Sequence, residues 1–194
     1  MTVPVFAELG FFHILDPEAW DHLLFVAALV APFAPKDARS WLGALTAFAV
    51  GHTAAMASQV ALQLPLPERA VEGAVLATLV FTAARVVWFK GSIRPARGWC
   101  SAELAVAALF GVVHGLAFAK DLAPLLPSDT GALWASWGWF ALGIELGQLT
   151  VVAWVFVLRA ASSARHFSPK DFALALSALC LGISLHLASQ WYLG

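Results

Sequence analysis

Eight side chains of metal-binding or proton-carrying type fall within or beside the long apolar stretches of this sequence. They are His13, Asp21, His22, His52, Glu72, His114, Glu145 and His186. Neutral imidazole and carboxylate together suit borderline divalent ions such as Ni²⁺, Co²⁺, Zn²⁺ or Fe²⁺. Three imidazoles and a carboxylate can also hold Zn²⁺ with one position open to water, which is the ligand set of a hydrolase. Cys100 and Cys180 form no CxxC or Cys/His pattern, so a thiolate site and a disulfide framework are not indicated. A ligating imidazole needs a partner on its other nitrogen, and Glu72, Glu145, Gln148, Thr53 and Ser189 are candidates for that task.

The elements that carry these groups follow from composition. The chain has 194 residues, 61% hydrophobic and 12% charged, with a net charge of −1. That is too little charge to coat a water-soluble globule, where about a quarter of residues are charged. It excludes a disordered tail, and with no basic block it excludes a nucleic-acid partner. The nine Trp suit a membrane interface. The expected fold is all-α: one domain over 1–194, a bundle of about six transmembrane helices over roughly 18–34, 40–63, 68–90, 100–120, 132–158 and 170–191. Pro32, Pro35, Pro65, Pro67, Gly91, Pro95, Pro124, Pro127 and Pro169 break the chain between them. Residues 1–12 carry no Lys or Arg, so no cleavable signal is expected.

Orientation follows from the basic residues. Lys36, Arg39, Arg85, Lys90, Arg94, Arg97, Arg159, Arg165 and Lys170 lie toward one side, and Arg69 and Lys120 toward the other. The positive-inside rule then puts both termini outside the cytoplasm. At 1.5 Å per residue, His22 and Glu72 come about 5 Å below the outer surface, His114 and His186 about 6–10 Å, and His52 about 12 Å. Glu145 comes near the middle, and Glu103 belongs to the inner half. Ionisable groups at membrane depth are costly, and scattered structural ones would not share a depth. Glu103 and His114, eleven residues apart, share a helix face beside the small-residue ridge Ala107, Gly111 and Gly115. Gly143 and Gly147 form a second ridge around Glu145, and Gly182, His186 and Ser189 a third. Each residue also has a plain reading: Asp21 as a helix N-cap, His186 as an interhelical hydrogen-bond partner, His13 as an interfacial residue.

Five stretches, in order, resemble the HupE/UreJ family of membrane proteins. They are Gly10 to Asp16 with Asp21-His22-Leu23-Leu24-Phe25, then Thr46-Ala47-Phe48 with Gly51-His52-Thr53, then Val71-Glu72, then Phe110 to Ala119, and last Gly143 to Gln148. The resemblance implies a multi-pass bacterial inner-membrane protein linked to hydrogenase and urease maturation, and a permease for nickel or cobalt. It implies that His13, Asp21 and His22 match the family's His…Asp-His motif, His114 its His-Gly motif and Glu72 its acidic position. The family usually leaves five residues between His and Asp-His; here there are seven. Nickel-type members carry a further His and Glu where this chain has Gly111 and Ala117.

The expected activity is therefore divalent-metal permeation from a His/carboxylate site in the outer half of the bilayer. The alternatives are a membrane-embedded zinc hydrolase acting on a lipid or small molecule, and a metal-binding accessory protein. The expected partners are a metal ion (Ni, Co or Zn) and membrane lipid, with homo-oligomerisation left open.

Overall fold

The computed structural model describes residues 3–16, 20–91, 101–164 and 166–193. Arg94, Pro95, Arg97, Trp99, Cys100 and Arg165 lie outside them. The described residues are all-helical, in the order α1 (Val3–Leu15), α2 (Trp20–Val30), α3 (Ala38–Leu62), α4 (Glu68–Trp88), α5 (Ser101–Leu122), α6 (Thr130–Ser163) and α7 (Pro169–Leu193), with short 3-10 turns at Pro35–Asp37 and Ala123–Leu125. Five helices, α3 to α7, are long and apolar enough to cross a membrane. Their outward faces carry large apolar side chains, among them Val50, Leu109, Trp134, Trp154, Val157 and Leu179, each more than half exposed. In water that surface would drive aggregation; in a bilayer it is solvated by lipid.

The first expected span, 18–34, differs from what is found. Its helix covers only Trp20–Val30, about 16 Å, and a helix not anticipated from the sequence, α1, precedes it. Neither alone matches a hydrocarbon core of about 30 Å. The packing shows how they combine. α3 to α7 alternate in direction, so α4 and α6 run the same way. α1 lies along α6 in the same sense, with Ala7 and Phe11 against Gly143 and Ile14 against Gly147. α2 follows α4, sharing a cavity with Glu72 and Val75 through Trp20 and Asp21, and another with Arg85 and Val86 through Ala28 and Leu29. The two short helices therefore run in one direction as consecutive pieces of a broken segment.

The most extensive helix contacts are α3 with α5 and α1 with α6. Both depend on glycine. A Cβ on Gly111 would overlap the Phe48 carbonyl, and one on Gly143 the Ala7 carbonyl. Backbones this close gain dispersion along the whole contact, which replaces the hydrophobic drive missing between helices in lipid. The third expected ridge does not act this way: Gly182 has no neighbour within 4 Å beyond its own helix.

Charge separates the two ends of the bundle. Glu68, Glu72, Asp121 and Asp129 lie at the acidic end, where α3 meets α4 and α5 meets α6. Asp129 caps α6 there by accepting from the Ala132 amide at 2.8 Å. Lys36, Arg39, Lys90, Arg159 and Lys170 lie at the basic end. There Arg159 donates to the Phe33 carbonyl and ties the connection after α2 to α6.

Candidate metal centre

The break between α1 and α2 supplies the first ligands. His13 stands in the last turn of α1, and Asp21 and His22 in the first turn of α2. The end of α1 presents carbonyls with partial negative charge, which favours a cation. The start of α2 presents partial positive charge, and the Asp21 carboxylate offsets it. His52 comes from α3 and His114 from α5, the tightly packed pair.

These groups meet. The His13 and His22 ring centroids are 4.5 Å apart, His22 and His114 5.2 Å, His22 and His52 5.5 Å, and His13 and His52 5.6 Å. His22 is 2% exposed, His52 0% and His114 1%. His13 is half-buried and lies against Phe118, 3.8 Å between centroids. Phe25 and Phe48 stack at 4.6 Å and both touch His114, closing the site toward the basic end.

Hydrogen bonds fix two tautomers. The Thr78 hydroxyl donates to the Val75 carbonyl at 2.7 Å, so it accepts from His114 Nε2 at 2.8 Å. His114 Nδ1 is then a bare lone pair. Asp21 Oδ1 accepts from His22 Nδ1 at 2.9 Å, leaving His22 Nε2 bare. Carboxylate or hydroxyl on one nitrogen and metal on the other is the usual arrangement of a ligating histidine. Among the described residues, His13 Nε2, His22 Nε2, both nitrogens of His52 and His114 Nδ1 are buried without a hydrogen-bond partner. An unsatisfied buried polar group costs about 1–3 kcal/mol. Five in one cluster are costly for a purely structural arrangement, and a cation would satisfy those that carry a lone pair, which on His52 is one of the two.

The remaining sequence candidates lie elsewhere. Glu145 accepts from Thr46 at 2.9 Å, between α6 and α3. Glu72 is exposed at the acidic end, beside two cavities, the second of which Asp21 also lines. His186 is exposed on α7. Gln148 is fully buried, with neither amide atom hydrogen-bonded among the described residues. Glu103 pairs with Arg85 at 4.0 Å. The orienting partners of the ring nitrogens are Asp21 and Thr78. Thr78 was not foreseen in that role, although the shared face of Glu103 and His114 already pointed both toward one neighbouring helix, which is α4.

The chain belongs to the HupE/UreJ family: the family model described as HupE / UreJ protein matches residues 1–193, nearly the whole chain. With its five long apolar helices, it is a multi-pass membrane protein of that family. No curated protein and no solved structure matches it significantly.

Proposed function

We propose that this protein is a permease for a divalent transition metal ion of the nickel/cobalt type, residing in a bacterial inner membrane with its basic end in the cytoplasm. The observation that carries the reading is the cluster of His13, His22, His52 and His114, from four helices, with five unpartnered buried ring nitrogens. Family membership supports metal handling, and neutral imidazole with one carboxylate suits these ions. The acidic end favours cation entry, because Glu68, Glu72 and Asp121 line a cavity of about 720 Å³ there, crossed by the Glu68–Lys120 pair at 3.0 Å. The Asp21 carboxylate lines a second cavity that shares Glu72 with the first. Release toward the cytoplasm requires the Phe25–Phe48 stack to part.

The test is uptake of Ni²⁺, Co²⁺ and Zn²⁺ into proteoliposomes. Saturable uptake that His22→Ala abolishes supports the permease. Bound metal with no flux under any gradient overturns it.

One observation favours the second reading, a zinc-dependent hydrolase. His13 lines a cavity of about 480 Å³ whose other walls are mostly apolar: Val5, Leu9, Phe12, Leu15 and Phe118. An acyl chain fits such walls better than a hydrated ion does. Hydrolysis of a lipid or ester substrate by the zinc-loaded protein, lost in His22→Ala, would establish that reading.

A further inference from the structure

The five clustered residues do not form one cage. Among the described residues they fall into two sets: His13, His22 and His52 offer ligand atoms all within 4.8 Å of one another, and so do Asp21, His22 and His114. Three nitrogens around an ion at about 2.1 Å stand about 3.4 Å apart. The first set closes on an ion by side-chain rotations; the second must also open the Asp21–His22 hydrogen bond. One bounded by all five residues does not follow from these distances.

We infer that the protein holds its ion at two overlapping stations that share His22, one at a time. The inference rests on the metal-binding reading above. A neutral imidazole has one lone pair, on Nε2 of His22 while Nδ1 donates to Asp21. Ligation in the Asp21 set requires that hydrogen bond to open and the lone pair to move to Nδ1, the edge that Asp21 faces. One nitrogen lone pair binds one ion, so the stations exclude each other. The first station is all-imidazole and takes one of the two open nitrogens of His52, the other keeping its proton. The second replaces two imidazoles with the Asp21 carboxylate and His114 Nδ1, whose bare state Thr78 enforces. They also face different cavities: His13 lines the mostly apolar one beside Phe118, and Asp21 the one it shares with Glu72. An ion passing between them exchanges two ligands and changes edge on the His22 ring.

The experiment equilibrates purified detergent-solubilised protein with Co²⁺ and reads bound metal and the cobalt d–d absorption. Wild type should bind one ion per chain. His114→Ala should keep one ion with an all-nitrogen spectrum, and His52→Ala one ion with a spectrum showing oxygen ligation. The binding constants of exclusive stations add, so at least one of the two variants should lose no more than about twofold in affinity. The double variant and His22→Ala should each lose at least a further tenfold. The less disruptive His52→Gln and His114→Gln, with unchanged helix content, guard against misfolding. Two ions per wild-type chain would overturn the shared ligand. Complete loss in each single variant would show one composite site and overturn the two stations, while leaving metal binding standing. A wild type that binds no metal would overturn both.

Discussion

The acidic half and the basic half of the bundle are built from the same five long helices, yet they treat polar groups in opposite ways. In the acidic half, His22, His52 and His114 are buried with open nitrogens, beside cavities lined by Glu68, Glu72 and Asp21. In the basic half the crevice between α2, α4 and α5 has apolar walls of Phe25, Phe81, Val86 and Phe110, and its charges, Arg85 and Glu103, are paired with each other. Open imidazole nitrogens are thus concentrated in one half, where an ion can relieve them, while the unpartnered groups of the basic half, Trp41 Nε1 and Ser177 Oγ, form no cluster with a carboxylate. The Phe25–Phe48 stack is the boundary.

The sharpest way to break this contrast is His22→Ala, which removes the side chain common to both close sets. Metal affinity should fall at least a hundredfold, by metal analysis after equilibrium dialysis, if the acidic half is a binding site. Gly111→Leu should come next. It forces a side chain into the Phe48 backbone and should lower stability by about 1–3 kcal/mol. Gly182→Leu, in open space, should change the melting temperature in detergent very little by comparison. Thr78→Val releases the His114 tautomer without emptying space and should weaken metal binding about tenfold. The smallest effects, under twofold in affinity, belong to His186→Ala and Glu145→Gln, which lie outside the cluster. A large loss in either would redraw the site around α6 or α7.

Much of this was legible beforehand. Hydropathy located the helices α3 to α7 to within a few residues, because lipid requires long apolar runs whatever they pack against. The Gly111–Gly115 and Gly143–Gly147 ridges read correctly as close packing. His22, His52 and His114 share a depth that rise per residue alone reveals. What depth cannot give is rotation about the helix axis. His186 has a suitable height but is exposed on α7, Glu72 lines the entrance cavities instead of the cluster, and Glu145 meets Thr46 instead of the imidazoles. α1 escaped notice because thirteen residues are too few for a span rule, and its place depends on a groove in α6 far along the chain.

The interruption between Leu15 and Trp20 has a consequence for how such a chain tolerates insertions and deletions. On one continuous helix, two extra residues would turn His13 about 200° away from Asp21. Here the angle of His13 is set by α1 seated on α6, and that of Asp21 by α2 seated among α4, α6 and α7. The connection joins two separately anchored pieces, so it can lengthen or shorten while both motifs keep their aim. The seven-residue spacing of this chain thus still brings His13 and His22 together, with ring centroids 4.5 Å apart.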